Sequence, residues 1–429
     1  MELTVLSDLS QQELEEQLQQ LEKKYDQFKE KGLALDMSRG KPCPEQLDLT
    51  KKMLDLVTSD DVYKTNSGVD IRNYGVLDGL AEAKELFAPI LGVKPAEVIV
   101  GGNSSLTMMH DTIARAMLFG VVNSPKPWSQ YEKIKFICPS PGYDRHFAIC
   151  ELFGIEMITV DIFEDGPDMD TIENLVKEDP TIKGIWCVPK YSNPIGNTYS
   201  AEVVRRLAEM ETSAKDFRIF WDNAYAIHHL TEQHDELVNI YDACENAGNE
   251  NRVFIFASTS KVTFPGAGVA AMAASPENAT RTKNQLGIQT IGSDKINQLR
   301  HVRFFEEEGS LQEHMKKHAE IIRPKFDKTI ELFEKFLGGK EIAKWLQPSG
   351  GYFISLDTLD GCAKEVVLLA KEAGVTLTGA GATYPYGQDP YDRNIRIAPT
   401  FPSLDELELA IEIFCVCVEI VSIRKSLAA

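Results

Sequence analysis

Apolar and polar positions along this chain follow two periods. From Ser10 the apolar residues Leu14, Leu18, Leu21, Tyr25 and Phe28 recur four and three residues apart in a charged stretch, which predicts a helix capped by Ser10 with one packing stripe, turned to its own domain or to a partner subunit. Short apolar runs then alternate with helical patterns: 98–100, 134–138, 157–160, 184–188, 217–221 and 253–257. Strands separated by helices predict an α/β architecture with a mostly parallel sheet. A long amphipathic pattern covers about Glu313 to Leu337, and two separate strand-like pieces follow, Gly351 to Leu356 and Asn394 to Ala398. That change of pattern predicts a second, smaller α+β domain.

Length supports this division, because 429 residues exceed the size at which one hydrophobic core usually stops growing. With 65 acidic against 45 basic residues the formal net charge is −20, and no basic patch interrupts it. Such a chain repels nucleic acid and anionic membrane, so neither is expected as a partner. The eight cysteines show no Cys-x-x-Cys pairing and several lie in apolar runs, which suits a reducing cytoplasm. Met1 to Thr4 opens no basic-then-apolar leader, and no apolar run approaches the ~20 residues of a membrane span. No metal site is expected. Cys415 and Cys417 read as buried residues without a site.

Parallel sheets bind ligands beyond the carboxyl ends of their strands, so the residues after each apolar run are the places to look for chemistry. Lys261, in Ser258-Thr259-Ser260-Lys261, follows such a run and precedes a glycine-rich turn. A partly desolvated amine there could form an imine with an aldehyde such as that of pyridoxal phosphate, whereas taken alone it reads as a surface lysine. Gly101-Gly102-Asn103-Ser104-Ser105 leads into a helix whose free amides and Ser104 hydroxyl could cradle a phosphate, or Ser104 could serve as a plain cap. Asp222 ends a strand-like run where a carboxylate could keep a ring nitrogen protonated, and Tyr225 follows three residues on. Asn193 lies in Asn-Pro-x-Gly, which is also an ordinary turn, and Tyr143 could stack on an aromatic ring or sit in the core.

Taken together, the order phosphate loop, Tyr143, Asn193-Pro194-x-Gly196, Asp222-x-x-Tyr225, Ser258-x-Ser260-Lys261 resembles the fold type I pyridoxal phosphate aminotransferases of class I, from Arg39-Gly40-Lys41-Pro42 to Arg396. The resemblance implies a large domain with a mostly parallel seven-stranded sheet over residues 50–312. It also implies a small domain over 313–429, joined by the N-terminal helix and arm of residues 1–49. It makes Lys261 the lysine that carries pyridoxal 5'-phosphate and shuttles the proton between the substrate Cα and C4′ of the cofactor. Asp222 would pair with the pyridine nitrogen, Tyr225 and Asn193 with the 3-oxygen, and Tyr143 would cover the ring. Asn103, Ser104, Ser258 and Ser260 would surround the phosphate, and Tyr74 would reach the phosphate of the neighbouring subunit of a homodimer. Arg396 would fork onto the substrate carboxylate, with Asn193, Gly40 and Arg39 nearby and Gly350-Gly351-Tyr352-Phe353 lining the pocket.

One feature departs from the family pattern, since Gly266 to Ala270 lacks the arginine that most class I members place on the phosphate. Arg300 and Arg303 could replace that cation or serve a helical surface. This divergence is similar to the class Ic aspartate aminotransferases, which are related to the aminotransferase domains of MocR regulators. The implied activity is transfer of an amino group from L-aspartate to 2-oxoglutarate by a ping-pong cycle, and Arg39, Lys41 and Lys295 are candidates for the distal carboxylate. Aromatic, branched or aminoadipate donors, a β-eliminating lyase, and a cofactor-binding regulatory sensor are the alternatives.

Overall fold

The computed structural model describes residues 5–428; the Met1 to Thr4 stretch, read above as opening no leader, lies outside them, as does Ala429. The first long helix, α1 (Gln11–Glu30), begins as the pattern predicts. Ser10 Oγ accepts from the Glu13 amide at 3.4 Å and Glu13 Oε2 accepts from the Ser10 amide at 2.8 Å, a reciprocal cap that satisfies two otherwise orphaned donors. Leu14, Tyr25 and Phe28 are its buried residues, and the Tyr25 hydroxyl donates to the Leu369 carbonyl at 3.0 Å.

The main sheet contains β1 (Val98–Val100), β2 (Lys135–Ser140), β3 (Glu156–Phe163), β4 (Gly166–Pro167), β5 (Ile182–Cys187), β6 (Arg218–Asp222), β7 (Val253–Ser258) and β8 (Ala270–Ala274). Their spatial order is β1-β8-β7-β6-β5-β2-β3-β4. Pairs β7–β6, β6–β5, β5–β2 and β2–β3 are parallel, while β8 runs against both β1 and β7. The sheet is therefore mostly parallel, but its strands number eight rather than seven, because the two-residue β4 adds to the edge at β3.

Both faces of this sheet are buried. Along β6, Ile219 and Trp221 enter one apolar cluster with Phe87 and Leu207, while Phe220 enters another with Ile113 and Phe147. Helices thus cover both sides, as the near-continuous apolar strands require. Phe220 is fully buried, and its removal from water contributes about 1.5–3 kcal/mol.

A smaller three-stranded antiparallel sheet, β9 (Ala343–Trp345), β10 (Ile354–Thr358) and β11 (Asn394–Ile397), forms around the two strand-like pieces seen in the sequence. Its core shares one cluster with α1 and with the last helix, Leu404–Ala428, and Cys415 and Cys417 lie fully buried within it. The helix Leu311–Phe336 connects the two units: Leu311 and Met315 pack with Met53 and Phe304, whereas Phe326 and Phe333 pack with Phe414. Among the described residues no helix is long and apolar enough to cross a membrane.

Candidate active site

The parallel strands deliver side chains to the carboxyl-terminal end of the sheet. Asp222 is the last residue of β6 and is 3% exposed. Its Oδ2 lies 3.0 Å from Nε2 of His146, a fully buried ring stacked on Trp186 with centroids 4.3 Å apart. The other oxygen, Oδ1, is buried and has no hydrogen-bond partner among the described residues. An ionised carboxylate left half-satisfied in the interior is costly, and a protonated ring nitrogen is the type of donor it lacks.

Lys261 stands three residues beyond the end of β7. Its ammonium nitrogen lies 5.2 Å from the centroid of the Tyr225 ring and 5.8 Å from that of Tyr352. Burial pushes the amine below its ordinary pKa; the Asp222 carboxylate works against that shift and the Arg396 guanidinium adds to it. The neutral amine that an imine-forming lysine needs is thereby favoured. Tyr225 is almost fully buried, and burial, followed by the proximity of Tyr143 and Asp222, raises its phenol well above the ordinary value. The Tyr143 phenol is pushed up to about 12 by burial first and then by Asp222 and Asp144.

The turn that carries Lys261 is fastened on several sides. The Tyr352 hydroxyl donates to the Lys261 carbonyl at 3.4 Å and itself accepts from Gln46 Nε2 at 2.8 Å. His314 Nε2 meets the Val262 carbonyl at 2.8 Å, so this nitrogen carries the proton. His301 Nδ1 meets the Asn297 carbonyl at 2.8 Å, which leaves Nε2 to accept from Thr263 Oγ1 at 2.8 Å. Burial lowers the pKa of His301 to about 4, consistent with this neutral tautomer.

Ser258, Ser260 and Asn103 meet beside that turn. Ser258 Oγ donates to Ser260 Oγ at 3.0 Å, and Ser260 Oγ to the Asn103 carbonyl at 3.4 Å. The loop from Gly101 is pinned by reciprocal bonds of 2.8 Å with Ala270. Ser104 caps the helix Ser105–Phe119, accepting from the Leu106 amide at 3.2 Å, so the cap reading is realised at the same place as the polar cradle. Val269, in the turn without arginine, donates its amide to Thr259 Oγ1 at 2.9 Å. Arg300 and Arg303 are turned elsewhere: Arg300 donates to the Leu56 carbonyl and Arg303 to that of Val62, fastening their helix to the 56–62 segment.

Across the cleft Arg396, on β11 and 7% exposed, lies over the Phe353 ring with 4.8 Å to the centroid. Its guanidinium donates to Asn193 Oδ1 at 3.3 Å and to Thr378 Oγ1 at 3.2 and 3.3 Å. Gly40 belongs to this stack, because a Cβ there would lie 2.5 Å from the end of the Phe353 ring.

Most of the predicted residues thus gather at one place, and a few do not. Tyr74 is 81% exposed and shares no side-chain hydrogen bond with the cluster among the described residues. Arg39 is also exposed. Lys41 sits 3.8 Å above the Phe401 ring, and Lys295 is buried with its ammonium on the Gly75 carbonyl at 3.1 Å. Several residues of the cluster escape sequence reading, among them Thr378, His146 and Asp144. His146 could have been reached from its spacing, since it follows Tyr143 by three residues at a helix start and shares its face. Asp144, which meets Arg396 across 252 residues of sequence, gives no local signal.

Comparison with known proteins identifies the family and the fold. The family model described as aspartate amino-transferase matches residues 9–429. The chain is 48% identical over 398 residues to an aspartate aminotransferase of Corynebacterium glutamicum, covering 93% of this chain and 92% of that protein. It is also similar to the crystal structure of an aspartate transaminase from Corynebacterium glutamicum, with a TM-score of 0.95 at 45% identity and 99% of each chain covered. The α-aminoadipate aminotransferase LysN of Thermus thermophilus, solved with N-(5'-phosphopyridoxyl)-L-leucine, shares the fold at a TM-score of 0.72 and 19% identity, over 92% of this chain and 93% of that one.

Proposed function

Because the chain belongs to the aspartate amino-transferase family and is an aminotransferase, we propose that it binds pyridoxal 5'-phosphate on Lys261 and transfers the amino group of L-aspartate to 2-oxoglutarate in a ping-pong cycle. The observation that carries the cofactor reading is the buried, unpartnered Oδ1 of Asp222 beside a lysine whose amine is held below its ordinary pKa. When bound, the cofactor supplies an aldehyde that exchanges for the substrate amine and a ring that accepts electrons from Cα.

The chain's own residues supply the rest. Asp222, oriented by His146, holds a proton on the ring nitrogen through a charge-assisted hydrogen bond. Tyr225 and Asn193 donate to the 3-oxygen, and Tyr143 covers one ring face. Asn103, Ser104, Ser258 and Ser260 bind the phosphate, assisted by the positive end of the helix Ser105–Phe119. Lys261 would hold the cofactor and, as a free amine, would be the base that carries the proton between the substrate Cα and the cofactor. Arg396 binds the substrate α-carboxylate, with Asn193 beside it and the backbone at Gly40 closing the pocket.

The exposure of Tyr74 supports a homodimer in which this side chain reaches the partner's phosphate, and Ile288, 91% exposed, and Ile291, 61% exposed, support an interface on the large unit. Arg39, Lys41 and Lys295 are the cations proposed for the distal carboxylate. Eight free thiols, all buried, support a cytoplasmic setting. The test is an absorption spectrum of the purified protein. A cofactor band lost in Lys261→Ala supports the cofactor assignment, and a band converted by L-aspartate and restored by 2-oxoglutarate supports the substrates. A band indifferent to aspartate but converted by another amino acid overturns the aspartate reading.

A further inference from the structure

Arg396 is already engaged on nearly every side. Of its five N–H groups, Nε and one on Nη2 go to Thr378 Oγ1, and the two on Nη1 go to Asn193 Oδ1 at 3.3 Å and Asp144 Oδ1 at 3.2 Å. Among the described residues, one N–H of Nη2 remains without a partner. A carboxylate that takes an arginine in the forked manner needs two parallel N–H groups, so it must displace one of these three partners.

Two of them are poorly suited to leave. Asn193 is 4% exposed, and Thr378 Oγ1 is fixed from its other side by donating to the Ser38 carbonyl at 2.7 Å. Asp144 differs in three ways. It is the one charged partner, its side chain is 33% exposed while that of Arg396 is 7% exposed, and it has a second position available. Its Oδ2 lies 4.0 Å from Nε of the exposed Arg145, and it opens the helix Asp144–Leu152, where backbone amides favour a carboxylate. The guanidinium does not depend on Asp144 for its orientation, because Thr378, Asn193 and the Phe353 ring already fix its plane and direction.

We infer that Asp144 is an exchangeable counter-ion of Arg396, which a substrate carboxylate must displace towards Arg145 before it can bind the fork. The inference rests on the reading of Arg396 as the substrate-carboxylate arginine. Asp144 has the same chemistry as the group it yields to, so it competes directly. It thereby sets a threshold that favours ligands able to offer a full carboxylate in forked geometry over neutral or singly hydrogen-bonding ones. Its net effect is to weaken substrate affinity without touching the reacting atoms.

The test uses the full chain loaded with pyridoxal phosphate and succinate, a dicarboxylate with no amino group, titrated by calorimetry at fixed ionic strength. Asp144→Asn is expected to tighten succinate binding by roughly three- to tenfold. In steady-state turnover the same variant is expected to lower KM for the amino acid while kcat stays near the wild-type value. Succinate binding that is unchanged or weaker in Asp144→Asn would overturn the inference. Arg396→Lys separates the two readings. If it abolishes succinate binding while Asp144→Asn has no effect, the arginine reading stands and the counter-ion reading falls. If it binds succinate as well as wild type, the arginine reading falls and takes the inference with it.

Discussion

His146 Nε2 and Asp222 Oδ2 lie 3.0 Å apart in the interior, and an ionised carboxylate can only accept, so the histidine donates. The stacked Trp186 ring fixes the imidazole, and the imidazole in turn fixes which Asp222 oxygen remains available. His146→Ala removes this donor and leaves the carboxylate two oxygens short of partners. A hydrogen bond to a charged group contributes about 1.5–3 kcal/mol, so cofactor affinity or kcat is expected to fall ~10- to 100-fold. Cofactor dissociation followed by absorbance, together with steady-state kinetics, checks this. Unaltered values for both would mean that Asp222 needs no orienting partner.

The contact between Gly40 and Phe353 makes a second prediction. A methyl group at residue 40 would sit 2.5 Å from the ring, which must then shift beneath Arg396. Gly40→Ala is expected to raise KM for carboxylate substrates several-fold while changing thermal stability little, since the rest of the Phe353 packing can follow the shift. A variant with wild-type KM would show that the ring does not support the guanidinium.

Buried neutral histidines bear on stability in acid. The pKa of His301 is lowered from 6.5 to about 4 by burial, and that of His318 to about 3, with His314 beside it as a second cause. Between the folded and unfolded values the unfolded chain binds more protons than the native one, so stability falls as pH falls through this window and does not change above it. The His301 shift alone corresponds to ~3 kcal/mol as an order of magnitude. Chemical denaturation at pH 7 and pH 5 is expected to show the loss, and His301→Asn is expected to reduce the difference between the two pH values. An equal pH dependence in the variant would assign the loss to other groups.

Much of the site was legible because a parallel sheet places its chemistry just beyond strand ends, and those ends are marked by apolar runs that stop at polar residues. Asp222, Lys261 and the loop after Val100 all follow that rule. What escaped depends on neighbours distant in sequence or on weak local preference. The strand Ala270–Ala274 is four alanines and a methionine, which carry little strand propensity; it forms because β1 and β7 pair with it on both sides. The two-residue strand Gly166–Pro167 is too short for any period to reveal. His146 reads as an ordinary helical residue until Asp222 is brought against it, and the Asp144–Arg396 pair exists only through the packing of the small sheet against the large one.

The sharing of sites between subunits can be decided by mixing variants. Lys261 lies beside Tyr225 of its own chain, whereas Tyr74 is 81% exposed and, in the proposed homodimer, would serve the neighbour's site. Homodimers of Lys261→Ala and of Tyr74→Ala would each carry two defective sites. In a mixed dimer with shared sites, both defects fall in one site, because the lysine of one subunit and the tyrosine of the other serve the same cleft. The second site then contains an intact lysine and an intact tyrosine. Random re-association of equal amounts makes half the dimers mixed, so activity is expected to recover to about a quarter of wild type. If Tyr74 instead served its own subunit, every site in the mixture would retain one defect and no recovery would follow. The recovered fraction measured after co-refolding, compared with each variant alone, therefore distinguishes a shared site from a self-contained one without any structural assumption about the interface.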